Sequence, residues 1–330
     1  FFISSMMIIF LITKFLFNFS ITYLLFFTLF TAISATIAEV TSSRGSDNLS
    51  IPIISILFML GFLEGIPSIS LNIMDILLSE KLLLIYLITF LFFIAYRLRT
   101  LSLDGLFGAG IMGTLIILFG SRYHLLSMAT FFILSSLLSK ILKKASFYRS
   151  KGSRRDIVQV YANGGIALLI CIVGHFNNDS ILVYLFFSSV AAAMSDTWGT
   201  EFGKLSKQRP ISIVSLKSVN HGISGGITRV GTLGSLLGSC IIGLTAWLSM
   251  PIQSHIIYGI IFSGLMASLF DSILGATIQA KYKDQNGEIT EKENENSSLF
   301  QGYSLINNDT VNLLNTTISP IIMYIYLFLF

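Results

Sequence analysis

Two aspartates close long apolar runs, a placement that calls for a chemical purpose. In Ala191–Lys204, read A-A-A-M-S-D-T-W-G-T-E-F-G-K, Asp196 follows an apolar stretch that begins near Ile181, with Glu201 and Lys204 close behind. Asp271–Thr277, D-S-I-L-G-A-T, repeats the device seventy-five residues later. A carboxylate at hydrocarbon depth costs about 2.5 kcal/mol or more, so it pairs, binds or faces a wet cavity. The two patterns share D-[ST]-x-x-G, as two parallel helices presenting equivalent acids would. At about 100° per residue Asp196 and Thr200 share a helical face, whereas Glu201 falls about 140° away. Both acids of that stretch meet one site only where the helix breaks near Gly199, or where Glu201 holds an outer donor. Carboxylates beside the hydroxyls of Thr197 and Thr200 suit a magnesium–phosphate complex, which takes few hard oxygens and keeps its waters. Asp196, Glu201 and Asp271 are therefore the candidate catalytic acids, with Asp196 and Asp271 the candidate Mg²⁺ ligands. A capped helix end would need fewer of these groups.

Three further stretches supply candidates for phosphate binding. In Gly152–Gly165, Arg154 and Arg155 precede Gln159 and Asn163, which lie four apart and share a helical face. Arginine suits bidentate contact with phosphate, although the same arginines would also serve as positive-inside anchors. Asn220–Thr228, N-H-G-I-S-G-G-I-T, places Gly222, Ser224, Gly225 and Gly226 ahead of an apolar run. Glycines there free backbone N–H groups to approach an anion at a helix start. The loop lacks the G-x-x-x-x-G-K-[ST] pattern of a P-loop. In Ile306–Asn312, Asn308 and Asp309 either cap the last helix or join the site.

The elements that must position these residues are membrane helices. The chain has 330 residues, 53% hydrophobic and 12% charged, with a mean hydropathy of +0.78. Soluble domains are nearer a quarter charged, so an all-α, polytopic integral membrane protein is expected, with about nine to eleven transmembrane helices. The net charge of +4 is small, and the bilayer rather than nucleic acid is the expected partner. Cys171 and Cys240 sit in apolar runs without any metal or disulfide spacing. Of the histidines, His124, His175 and His255 read as interfacial side chains beside short loops. Phe1–Ala38 makes one or two spans; Ile51–Leu63 and Leu82–Tyr96 are shorter runs. Firm apolar runs follow at about 103–120, 124–142, 161–175, 181–195, 229–249, 256–276 and 310–330.

Charge orients them. Seventeen basic residues fall in the connections on one side, at Arg97–Arg99, Lys140–Arg155, Lys204–Arg229 and Lys281–Lys292, against Arg122 alone on the other. Basic loops stay in the cytoplasm, which puts Asp196, Glu201, Asp271 and Asp309 at the cytoplasmic face. Gly105, Gly108 and Gly113 in one run, and Gly231, Gly234 and Gly238 in another, provide faces for close helix approach. Residues 1–100 read as variable N-terminal membrane helices and 101–330 as the domain carrying the polar site. Within it, about 281–306 is a mobile polar loop, K-Y-K-D-Q-N-G-E-I-T-E-K-E-N-E-N-S-S at its start.

Taken in order over about Leu101–Leu314, these stretches resemble the integral membrane family called domain of unknown function 92. This is the transmembrane protein 19 family, which includes the plant phytyl-phosphate kinase. The family's R-[ND]-x-x-Q-V-x-x-N-G is similar to Arg155, Asp156, Gln159, Val160, Asn163 and Gly164. Its D-T-W-[AG]-[ST]-E-x-G is similar to Asp196–Gly203, and its D-S-x-L-G-A-T-x-Q to Asp271–Gln279. The chain departs from the pattern at three places. Ile223 stands where the glycine loop usually has Thr, Pro210-Ile211 replaces a Pro-Arg pair, and Asn307-Asn308-Asp309 replaces D-N-[DN]. D-x-x-G-x-x-x-G-K at Asp196–Lys204 also resembles a motif of CTP-dependent polyprenol kinases.

The resemblance implies a membrane kinase that transfers a phosphoryl group from a nucleoside triphosphate, CTP or ATP, to a prenyl, phytyl-like monophosphate. Mg²⁺ would lie on Asp196 with Glu201 or Asp271. Arg155, Gln159, Asn163, Thr200, Gly222, Ser224, Gly225, Gly226, Asn308 and Asp309 would contact substrate and phosphate. Two other readings compete: an ion- or solute-coupled transporter with paired acids and glycine-broken helices, and a membrane protein without catalytic activity.

Overall fold

Small polar residues fix where five of the helices begin, each accepting a hydrogen bond from a backbone N–H two or three residues ahead. Ser20 caps α2 (Ile21–Thr41), Ser102 caps α5 (Leu103–Phe119) and Asp179 caps α8 (Ser180–Gly203). Thr228 caps α9 (Arg229–Ser249) and Asn307 caps α11 (Asn308–Leu329). The remaining helices are α1 (Phe2–Leu16), α3 (Asp47–Gly65), α4 (Glu80–Arg97), α6 (Arg122–Ala145), α7 (Ile157–Asn177) and α10 (Ser254–Thr277). This computed structural model describes residues 1–42, 45–65, 80–145, 154–177, 179–285, 289–291, 293 and 297–330. Gly152, Arg149, Lys151 and Lys292 of the sequence reading lie outside them.

The expected polytopic helical architecture is what the structure shows. Among the described residues there are eleven helices, and eight of them are long and apolar enough to cross a membrane: α2, α3, and α6 to α11. α1 and α5 are apolar but shorter, at 15 and 17 residues. The run Phe1–Ala38 thus divides into two helices at Phe17–Ser20.

The chain folds as two units. The first comprises Phe1–Ser121 with Arg154–Ile157. An aromatic cluster joins α2 to α3: the Tyr23 and Phe62 rings lie 5.3 Å apart, those of Phe27 and Phe62 5.8 Å apart, and Tyr23 Oη donates to Phe62 O at 3.3 Å. Lys81 Nζ donates to Leu118 O (2.8 Å), closing one of the carbonyls that the end of α5 leaves unsatisfied. The glycine face expected on α5 is used. A Cβ at Gly108 would stand 2.7 Å from Ile157 Cγ1, and one at Gly113 would stand 2.6 Å from Ile88 Cδ1.

The second unit comprises Arg122–Ser153 with Val158–Phe330 and is built around α8. Ten consecutive residues, Phe186–Ser195, are buried, as only a helix enclosed on every side allows. α6, α9, α10 and α11 enclose it. His124 of α6 meets Phe186 edge-on at 4.5 Å, so this histidine is buried in the helix bundle rather than interfacial. The α8–α9 crossing rests on small residues, as read from the sequence. A Cβ at Gly234 would stand 2.7 Å from Phe202 Cβ, and one at Gly238 would stand 2.8 Å from Met194 O. Lipid tails are as apolar as leucine, so cohesion here comes from close approach and interhelical hydrogen bonds, each worth about 0.6–2 kcal/mol. Ser195 Oγ donates to Ser235 O (2.9 Å), Ser319 Oγ to Ser188 O (2.8 Å), and Thr316 Oγ1 to Ala162 O (3.0 Å).

Two small sheets lie in the connections. β1 (Ile211–Ser212) pairs antiparallel with β2 (Gly226–Ile227), Ile211 opposite Ile227. After α10, β3 (Lys281–Lys283) lies between β4 (Ile289–Thr290) and β5 (Ser298–Gln301), both antiparallel to it. Polar composition reads this segment as a mobile loop, but its described residues form a sheet. Tyr282 and the stem of Lys281 are buried, and Gln301 Nε2 donates to Ala276 O at the end of α10 (2.5 Å).

Candidate active site

Contacts along α8, α9 and α10 set the depth of the two aspartates. Gly264 of α10 packs on Ala191 of α8, and one turn on, Ser268 Oγ lies 3.1 Å from Ser235 Oγ of α9. Ser235 in turn accepts from Ser195. Asp196 follows Ser195 directly, and Asp271 lies three residues beyond Ser268, so both sit just past this band of hydroxyls at one end of the unit. They are within Coulombic reach of each other, and Asp271 is also within reach of Glu291. Asp271 Oδ2 is buried and has no hydrogen-bond partner among the described residues. Among the described residues, neither aspartate forms an ion pair, and no three His, Cys, Asp or Glu side chains gather at metal-binding distance. Two carboxylates are nonetheless a donor set that fits Mg²⁺, which takes one or two protein carboxylates and fills its octahedron with water and substrate phosphate.

Neither aspartate ends its helix. α8 continues to Gly203 and α10 to Thr277, which sets each acid about two turns inside. The helix does not break at Gly199. That glycine lets α9 approach, and a Cβ there would collide with Ser235 Oγ. With α8 intact, Glu201 turns from Asp196 and pairs with Lys204 at 2.8 Å. Thr200, one turn beyond Asp196, is exposed.

The glycine loop folds onto the end of α10. Gly225 has φ +87°, a conformation that side chains rarely adopt, and a Cβ there would collide with the backbone of Ala276. Gly222 has φ +84° but borders open space, and Gly226 sits in β2 against Pro210. Ser224 ties the loop to the segment that follows α10. Its N–H donates to Glu291 Oε1 (2.6 Å), its Oγ accepts from Gln279 Nε2 (3.1 Å), and its carbonyl accepts from Lys281 Nζ (3.0 Å). Burial pushes the Lys281 ammonium below its ordinary range, and the Glu291 carboxylate opposes that shift. In the same loop the His221 imidazole is held low by burial and by Arg209.

Arg155 belongs to the first unit, where its N–H donates to Thr100 O (3.0 Å) and its carbonyl accepts from Ser102 N (3.0 Å). Gln159 and Asn163 share one face of α7, where Asn163 Nδ2 donates to Gln159 O (2.8 Å). Asn307, not Asn308 or Asp309, caps α11 by accepting from Thr310 N (2.9 Å), which leaves those two in its first turn. Residue-by-residue reading missed Lys281 and Glu291, which lie in a segment of low-complexity composition. It also missed Asn315, whose Nδ2 donates to Ala192 O (3.3 Å) while its buried Oδ1 has no partner among the described residues. An amide inside the apolar run of α11 was the signal available for Asn315.

An uncharacterised membrane protein of Methanocaldococcus jannaschii is 32% identical over 226 residues, which span 68% of this chain and 84% of that protein. Protein PGR of Arabidopsis thaliana is 27% identical over 72% of this chain and 93% of its own length. The chloroplastic protein VTE6 of the same plant is 26% identical, over 67% of this chain and 64% of its own. No solved structure matches. The model of the family described as integral membrane protein DUF92 matches residues 86–319, which take in both aspartates, the glycine loop and the start of α11; the chain belongs to that family.

Proposed function

We propose that this protein is a membrane-embedded kinase that transfers a phosphoryl group from a nucleoside triphosphate to a prenyl monophosphate at the cytoplasmic face. The observation that carries the reading is the convergence of Asp196 and Asp271, with Asp271 Oδ2 buried and unpartnered, next to a loop bent by Gly225. A buried carboxylate oxygen without a donor is costly unless a ligand completes it. Asp196 and Asp271 would hold Mg²⁺, which when bound neutralises charge on the nucleotide phosphates. Phosphoryl transfer asks the protein mainly for positioning and charge neutralisation. The Lys281 ammonium, which gives one N–H to the Ser224 carbonyl, and the N–H groups of Gly222 and Gly225 would supply donors for phosphate oxygens. The accepting lipid phosphate is already anionic near neutral pH, so no strong general base is required.

Glu201 is assigned to Lys204, not to the cation. Thr200, Gln159, Asn163, Arg155, Asn308 and Asp309 stay candidates for contact with the lipid phosphate and its chain. The substrate class rests on the motif resemblance to a family that includes the plant phytyl-phosphate kinase. The helices that end at the site offer lipid-facing surfaces along which a prenyl tail can lie.

The test is an assay of the purified full chain with labelled ATP or CTP and a panel of prenyl monophosphates. Nucleotide-dependent appearance of the diphosphate is expected. Monodisperse protein that forms no diphosphate with any pairing overturns the proposal. The compartment is checked separately: with Cys171 and Cys240 replaced, a cysteine at Ser206 should resist an impermeant thiol reagent in intact cells.

A further inference from the structure

Ser224 has each of its polar atoms engaged by a segment that begins beyond α10. Gln279 and Lys281, 1% and 6% exposed, hold its hydroxyl and carbonyl, and Glu291 holds its N–H. A water molecule or a neutral acceptor would satisfy that N–H equally well. Instead an anion is placed there, at 2.6 Å and within Coulombic reach of Asp271. Gathering like charges is unfavourable, and Asp271 already has a buried oxygen with no partner. The loop around this contact turns at Gly225, whose positive φ brings it against Ala276. Glu291 follows directly on β4, whose pairing with β3, Thr290 opposite Tyr282, sets its reach.

We infer that the Glu291 carboxylate occupies a phosphate subsite formed by the Ser224 N–H and Lys281, and that a phosphate of the substrate displaces it on binding. Carboxylate and phosphate oxygens accept the same charge-assisted hydrogen bonds. A phosphate brings more acceptor oxygens than a carboxylate and could also bind the cation that Asp196 and Asp271 would hold. The inference rests on the proposed function only for the identity of the anion. The opposite arrangement, in which Glu291 is a working member of the acid cluster, reverses the sign of the effect of removing its charge.

The experiment titrates detergent-purified full-length protein with inorganic phosphate, Mg-ATP, Mg-CTP and geranyl monophosphate, read by calorimetry. Glu291→Gln keeps the side-chain shape and an acceptor oxygen while removing the charge. A displaced internal competitor raises the apparent Kd by the inverse of the open fraction, so E291Q should tighten phosphate binding by about tenfold, and Lys281→Gln should weaken it comparably. The nucleotide or lipid arm in which E291Q tightens binding identifies which phosphate the subsite takes. Unchanged or weaker binding by E291Q in every arm overturns the inference. If E291Q is not monodisperse, Glu291→Asp, which withdraws the carboxylate by one methylene, is read in its place with the same expected direction. Activity is not measured here, so an unchanged affinity leaves the kinase proposal standing. Tightened phosphate binding in a protein that makes no diphosphate would break that proposal alone.

Discussion

The last turns of α8 and α10 both carry acids close to the end of a membrane helix, yet the two ends meet different fates. On α8, Glu201 finds Lys204 one turn on and forms a 2.8 Å ion pair. On α10 no basic residue follows Asp271 before Lys281, and that lysine donates to Ser224 instead. Among the described residues, Asp271 is left with a buried oxygen that has no hydrogen-bond partner. A cation three residues away turns an acid into part of a helix terminus, where its contribution is about 1 kcal/mol or less. An acid without one, at the same depth as a second acid, is where a ligand belongs.

Breaking the α10 side of this comparison should have the largest effect. Asp271→Asn and Asp196→Asn should each reduce diphosphate formation by at least about 100-fold, with the protein still inserted and monodisperse. Asparagine caps a helix about as well as aspartate, so a structural role would tolerate the change. Wild-type turnover in both variants would assign these acids to packing. Next comes Gly225→Ala, whose Cβ would run into Ala276 at φ +87°. A loss of about 1–3 kcal/mol in thermal stability and a rise in KM are expected. Gly222→Ala, at φ +84° but facing open space, should cost only about 1–2 kcal/mol. Equal effects of the two alanines on KM would show that contact with α10 is irrelevant to the loop's role. Asn307→Ala removes the α11 cap and should cost about 1 kcal/mol in a denaturation assay while activity is retained. Glu201→Gln should be the mildest, within about 1 kcal/mol in stability and with turnover preserved. A large loss of turnover there would return Glu201 to the site.

Much of the bundle is legible in the sequence because membrane helices announce themselves by apolar length and small-residue spacing. The runs from Leu103 onward correspond to α5 to α11, and Gly231, Gly234 and Gly238 face α8 as their spacing implies. That Asp196 and Asp271 come within Coulombic reach of each other is also legible, since each closes an apolar run with the same D-[ST]-x-x-G pattern. What composition hides is pairing across distance. Ser224 meets Gln279, Lys281 and Glu291 at separations of 55, 57 and 67 residues, and a low-complexity tail gives no periodicity from which to read such contacts. Gly199 is ambiguous for another reason. A glycine inside a helix serves either a break or a close approach, and only Ser235 on the neighbouring helix decides for the second.

The most direct test of the two-aspartate site is the magnesium dependence of nucleotide binding, measured as thermal stabilisation in detergent. Ligand at about 100 times its Kd stabilises the folded state by about 2.7 kcal/mol. Mg-nucleotide should therefore raise the Tm of the wild-type chain by several degrees, and the shift should vanish when EDTA is added or when Asp196 or Asp271 is changed to Asn. An undiminished shift in both variants, or one indifferent to EDTA, would contradict the assignment of the cation to these two side chains.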